Sequence, residues 1–338
     1  MAAVACTPAC TEGDTAPLAP APSAALPNLG APPQSGPPNN VVGGFTIQVP
    51  EITLQPGEET FPCFIFPLDV TGPSNLVGGG KLVTTAGLHH GNVTTRPKDP
   101  NAEGMRPCEP GMGGALGGEA DDILKGGSVL FGSSTQFVGE EWQSFPEGMA
   151  YQVTGGYEIV ARLHYLNASA EPITVMPMYE WFTVEESSVT QILGAFAWQL
   201  TDWELPPQSE TTITAECLAP GPMQIVNVLP HMHKLGTSFF GEYVGGERDG
   251  ERWLDSAGYD PDNGVMTQYV PAIDVTVAEK MRFGCTWQNP FDKTIVEGVG
   301  DNEMCILFGY AYPYENAYTA RATPSGCIMI ASPPPGGD

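Results

Sequence analysis

The sequence predicts an all-β protein made of two antiparallel β-sandwiches of roughly 140 residues each, an ordinary domain size. Three observations carry that expectation. The 338 residues include 41 glycines and 34 prolines, which punctuate short strands with turns. No long stretch repeats apolar residues at helical spacing. Short runs alternating apolar and polar residues recur along the chain, as half-buried strands do.

Residues 1–44 are rich in proline and alanine and read as a flexible, partly polyproline segment. The first sandwich spans residues 45–186. Its expected strands are Phe45–Val49, Phe64–Phe66, Ser128–Phe131, Ala150–Val153, Tyr157–Tyr165 and Ile173–Tyr179. Residues 99–128, with Gly111-Met-Gly-Gly114 and Gly117-Gly118, form a long loop. The second sandwich spans residues 187–338. Its expected strands are Ile192–Leu200, Thr211–Cys217, Met223–Leu229, Phe239–Val244, Met266–Val270, Lys280–Trp287 and Met304–Tyr312. No repeat is visible in the primary sequence.

The formal charge is −26, from 39 acidic and 13 basic residues. Such a surface repels nucleic acid and anionic membranes, and it suits a saline or extracellular setting. No apolar run reaches the ~20 residues of a membrane-spanning helix. Eight cysteines at scattered spacings, with no Cys-x-x-Cys pair, indicate disulfides and therefore an oxidising compartment: periplasm, cell surface or outside. The small residues ahead of Cys6 resemble the tail of a bacterial lipoprotein signal, which would make Cys6 a lipid anchor. The alternative is a local disulfide between Cys6 and Cys10.

All five histidines fall in three words: Leu-His89-His90-Gly, Leu-His164-Tyr and Pro-His231-Met-His233. Histidine is the commonest protein metal ligand. On a strand, residues i and i+2 share a face, so His231 and His233 can reach one ion; two polar side chains on a wet face are the plain alternative. His89 and His90 point to opposite faces of a regular strand. A common ion needs a bulge or turn, which Gly87 and Gly91 permit. A single histidine on an apolar strand, as His164 is, is more often a packed, hydrogen-bonded residue than a ligand.

Together these words resemble the type II copper, ascorbate-dependent monooxygenases, the group of the peptidylglycine α-hydroxylating and dopamine β-hydroxylating enzymes. The matching words are His89-His90, His164-Tyr165, His231-Met-His233 with Leu235-Gly236, and Asp301-Asn-Glu-Met304-Cys305. Pro146-Glu-Gly148 and Gly155-Gly156 ahead of His164 also resemble the family's run. The likeness covers about residues 45–330. It implies two jelly-roll β-sandwich domains and two copper ions. His89, His90 and His164 would hold the electron-transfer copper. His231, His233 and Met304 would hold the copper that activates O2. The soft thioether of Met304 favours Cu(I), although core packing is the usual role of methionine. The resemblance also implies the disulfides Cys63–Cys108, Cys217–Cys327 and Cys285–Cys305.

Three departures from the family bear on the substrate or on the first copper site. Peptide-amidating members clamp a substrate carboxylate with an Arg, an Asn and a Tyr where this chain has Leu229, Ile306 and Phe308. A peptide C-terminus is therefore not the expected substrate, and the pocket beside the second copper is expected to be apolar. Gly91 stands where characterised members have Met. Arg162, two residues before His164, either raises the first copper's potential or pairs with one of the many carboxylates.

The expected activity is hydroxylation of a C–H bond of a small organic substrate. One oxygen atom enters the substrate and the other becomes water, with ascorbate or another one-electron donor supplying two electrons. The alternative is a non-catalytic extracellular copper-binding protein on the same fold. No Walker loop, Gly-x-Ser-x-Gly elbow or His-Glu-x-x-His word offers a different chemistry.

Overall fold

The computed structural model describes residues 36–109, 122, 127–133, 137–153, 155–218, 221–260, 266–298 and 302–331. Cys6, Cys10 and the run Gly111–Gly118 lie outside the described residues. The all-β class expected from the sequence is observed.

Sixteen strands carry the architecture. The first half contains β1 (Val41–Gln48), β2 (Cys63–Pro67), β3 (Leu76–Thr84), β4 (Leu88–Pro97), β5 (Val129–Gly132), β6 (Met149–Gln152), β7 (Tyr157–Leu166) and β8 (Met178–Val184). The second contains β9 (Gln191–Leu200), β10 (Ser209–Cys217), β11 (Gln224–His231), β12 (Gly236–Val244), β13 (Arg252–Ala257), β14 (Thr267–Asp274), β15 (Lys280–Asn289) and β16 (Ile306–Tyr312).

In the first half the sheet order is β1-β8-β3-β6, with β2-β7-β4-β5 as the second sheet. The second half repeats the pattern as β9-β16-β11-β14 and β10-β15-β12-β13. Eight strands ordered this way in two sheets form a jelly roll. Its inner faces are filled by alternate residues, which is why the strands read as alternating runs. Trp181, Tyr179 and Phe131 fill the first core; Trp198, Trp253, Trp287, Phe239 and Phe283 fill the second.

The two halves share one sheet. β6 and β9 pair in parallel, from Met149 opposite Gln191 to Tyr151 opposite Leu193. Val226 and Tyr310 of the second half pack into the first half's core. Tyr310 stacks on Tyr151 at 5.4 Å between ring centroids, and its hydroxyl donates to the Val129 carbonyl at 3.0 Å. This buried seam brings β4 and β7 of one half up to the end of β11 in the other.

All three disulfides expected from the resemblance are present: Cys63–Cys108, Cys217–Cys327 and Cys285–Cys305. The expected strand Ile173–Tyr179 is in fact two, Ile173–Val175 and β8. Met176 and Pro177 separate them, and a proline has no N–H for a central ladder. Met304 lies just before β16 rather than in it. Among the described residues no helix is long and apolar enough to cross a membrane.

Candidate metal centre

The bulge that a shared ion at His89 and His90 demands is built into β4. Along the β4–β7 ladder His164 pairs with His90, while the next residue, Tyr165, pairs with Leu88. His89 is thus the extra residue, and the kink turns its ring to the side of its neighbour. Gly87, at φ +110°, makes the approach; a Cβ there would lie 2.5 Å from Val175 Cγ2. One nitrogen from each of His89, His90 and His164 falls within 4.8 Å of the others, close enough to grip one ion.

The hydrogen bonds orient these rings. His164 Nε2 lies 2.7 Å from Glu59 Oε1. The carboxylate can only accept, so Nε2 carries the proton and the Nδ1 lone pair faces inward. That Nδ1 is 3.2 Å from His90 Nε2. His89 Nδ1 is buried without a hydrogen-bond partner among the described residues, a costly state for a polar atom unless a ligand completes it. Phe61, 36% exposed, stacks on the His164 ring at 4.3 Å and 20°.

The second set forms where β11 ends. His231 is the last residue of β11 and pairs with Ile306, the first of β16. Continuing that antiparallel register two residues outward on each side leads to His233 and Met304. His233 Nδ1 donates to the Asn302 carbonyl at 2.8 Å, so Nε2 keeps its lone pair. Met304 is 3% exposed.

Glu303, fully buried, ties the pieces together. Its carboxylate accepts from the His233 N–H at 2.9 Å, the Leu235 N–H at 2.7 Å and Trp287 Nε1 at 3.1 Å, and also from the Met304 N–H. Burial pushes this carboxyl up to about 7, against the pull of those donors. Tyr259 accepts from the Met232 N–H at 3.0 Å, and the Cys285–Cys305 disulfide fixes the residue next to Met304.

The two sets touch. Ring centroids lie 4.5 Å apart for His89 and His164, 4.9 Å for His90 and His164, 5.4 Å for His90 and His231, and 5.3 Å for His231 and His233. The five imidazoles therefore form one continuous cluster across the seam. Burial, reinforced by neighbouring rings, holds His89 down to about 4 and His231 to about 3. His90 lies well below its ordinary value, and burial also lowers His164 and His233. At neutral pH all five are neutral, as metal ligation requires.

The departures have physical explanations. Gly91 admits no side chain: a Cβ would sit 2.7 Å from both Tyr179 Oη and Leu163 Cδ2, and Ser133 holds its backbone N–H and carbonyl. Arg162 pairs with Asp122 at 2.7 Å and donates to Thr94 Oγ1 at 3.2 Å, so the carboxylate pairing is the one observed. Leu229 lies opposite Phe308 across β11 and β16, and the Phe308 ring is 6.4 Å from His231. With buried Ile306 they give His231 an apolar flank. Glu59, Phe61 and Tyr259 carried no signal in the sequence; Glu303 did, standing directly before Met304.

No family model matches the chain, and no curated protein matches it. Solved structures with some likeness include the STIV MCP, with 9% identity over 80% of this chain and 97% of that one, at a TM-score of 0.35. The major capsid protein P2 from bacteriophage PM2 shares 11% identity over 78% of this chain and 97% of that one, at 0.34. The PBSX exported protein XepA shares 12% over 83% and 94%, at 0.21. Likeness at this level carries no functional argument.

Proposed function

We propose that the chain is a copper-dependent monooxygenase that hydroxylates a C–H bond of a small, apolar-faced organic substrate with O2 and two electrons. The observation behind this reading is the meeting of two imidazole sets at one seam, three from the first half and two from the second; buried Met304, two residues before Ile306, would add a thioether to the second set. Bound copper would supply one-electron redox chemistry and O2 activation.

His89, His90 and His164 would hold the copper that takes and stores electrons. His231, His233 and Met304 would hold the second, the soft sulfur favouring Cu(I). The contact of His90 with His231 supports a short route between them. Leu229 and Phe308 line the side of His231, where they would receive the apolar face of the substrate and keep water out. Glu303 holds the backbones of His233 and Met304 in one frame. Three disulfides support a secreted or cell-surface location, and the net charge of −26 argues against a nucleic-acid partner.

The test is copper content and reductant-driven O2 consumption of the reconstituted chain over a panel of small substrates, beside a Met304→Leu variant of similar volume. The expected result is two coppers and turnover in the parent chain. The variant keeps the three-histidine copper and loses turnover. Tight copper uptake without O2 consumption on any substrate would instead mark a non-catalytic copper-binding protein. A variant with full turnover would remove Met304 from the chemistry.

A further inference from the structure

Trp287, on β15, is completely buried. Its indole N–H donates to Glu303 Oε2 at 3.1 Å, the same oxygen that accepts the His233 N–H at 2.9 Å. Two hydrogen bonds on one atom thus join this indole to the backbone of the second histidine set. Its ring stacks on that of Trp203, 4.7 Å between centroids at 29°. Trp203 follows β9 and forms part of the wall of an open cleft of about 520 Å³, lined also by Asp202, Glu204, Val296 and Glu297. Trp203 itself is 6% exposed, so the indole pair leads from the second set to the edge of solvent.

Tryptophan and tyrosine give up one electron far more readily than phenylalanine. Phe308, the ring beside His231, therefore offers no such path. The Tyr259 hydroxyl donates to the Pro230 and Met232 carbonyls, which do not take the proton that a phenol releases with its electron. An indole can lose an electron and keep its N–H. That of Trp287 is held by Glu303, and that of Trp203 by the Leu200 carbonyl at 2.9 Å. The surroundings give the pair a direction. Burial disfavours a positive charge on Trp287, whereas Trp203 borders solvent in a cleft lined by three carboxylates and no cation.

Resting on the copper reading above, we propose that Trp287 and Trp203 carry oxidising equivalents from the second set to the cleft when O2 reacts there without substrate. One electron passes from Trp203 through Trp287 to the oxidant, which is of the copper–oxygen class. A one-electron donor in solution then refills Trp203 from the cleft. The oxidant is reduced by one unit and the donor oxidised by one. Both indoles keep their protons, and no bond in the protein is made or broken. The path spares Met304, His231 and His233 from attack by an oxidant that finds no substrate.

The experiment mixes the reduced, copper-loaded full chain rapidly with O2 in the absence of substrate and freezes it for high-field EPR. Ring-deuterated tryptophan identifies indole radicals by narrowing their signal. The wild-type chain should show an indole cation radical, and Trp203→Tyr a tyrosyl radical in its place. Trp203→Phe should keep an indole radical, now on Trp287, whose decay in added ascorbate is slower because the buried ring has lost its outlet. Asp202→Asn combined with Glu204→Gln, both at exposed positions, should shift the radical from Trp203 toward Trp287. Peptide mass spectrometry after repeated cycles should find oxidised His231, His233 or Met304 accumulating faster in Trp203→Phe than in wild type. Copper content and the resting copper(II) spectrum of each variant serve as controls for folding. A wild-type chain that binds copper and consumes O2 without an indole radical would overturn the proposal alone. So would a radical on Tyr165, Tyr179 or Tyr259 instead, or a wild-type signal that persists unchanged in Trp203→Tyr. A wild-type chain that takes up no copper would overturn the copper reading and the proposal with it.

Discussion

The two histidine sets are supported in opposite ways. The first half's set sits on a strand bulge beside the seam, and its supporting groups, Glu59 and Phe61, are exposed. The second half's set sits at the end of β11, and its supports, Glu303, Trp287 and a disulfide, are buried. An exposed support can be approached by a partner from solution. A buried one fixes geometry and dielectric but admits nothing. The contrast is therefore between a set whose supports face solvent and a set whose supports lie inside the second core.

The contrast can be broken most forcefully at Glu303. Glu303→Ala strands the buried N–H donors of His233, Leu235, Met304 and Trp287. A loss of about 3–5 kcal/mol in unfolding free energy is expected, read by denaturant titration. A loss no greater than that for an exposed carboxylate would show that the second set is not held from within.

The metal-free chain should next show a pH signature of the whole cluster. The histidines take up protons near 6.5 when unfolded but only at lower pH when folded, His89 at about 4 and His231 at about 3. The unfolded state therefore binds more protons in this window. Stability is present above about 6.5 and falls as pH drops, by a few kcal/mol in order of magnitude. Glu303, raised to about 7 by burial, works the other way, losing its contribution as pH rises from its ordinary range through 7. Five histidines against one carboxyl leave a net fall toward acid in thermal melts. Melts that are flat from pH 7 to 4 would mean that the imidazoles are not jointly buried.

Gly91→Ala sharpens the account of the bulged strand. Its Cβ meets Tyr179 Oη and Leu163 Cδ2 at 2.7 Å, and a cost of about 1–3 kcal/mol is expected. Gly155→Ala, with nothing within 4 Å, is the matched control and should melt like the parent. The smallest effect on stability belongs to Glu59→Gln, about 0.5 kcal/mol or less for so exposed a pair. Its copper affinity at the three-histidine set should nonetheless fall roughly 10- to 100-fold, since the carboxylate orients His164. Competition titration with a copper chelator separates the two quantities.

Much of this was legible in the residues. Alternation marked most strands, because each inner face needs an apolar residue at every second position. The strand Leu76–Thr84 was hidden by Gly78-Gly-Gly80, glycines that the fold uses to let backbone and large rings approach: a Cβ on Gly80 would lie 2.9 Å from Trp181 Cδ1. The repeated strand order left no trace, since topology is set by which strands pair and not by which residues recur. The histidine words pointed to the members of the imidazole cluster. The contact between His90 and His231 could not be read, because it depends on the parallel β6–β9 seam joining residues far apart in sequence.

The most direct test is anomalous diffraction at the copper edge from crystals of the full chain soaked with copper. The account predicts two peaks, one among His89, His90 and His164 and one among His231, His233 and Met304. No peak at the five histidines, or a second peak that leaves Met304 uncoordinated after reduction, would contradict it.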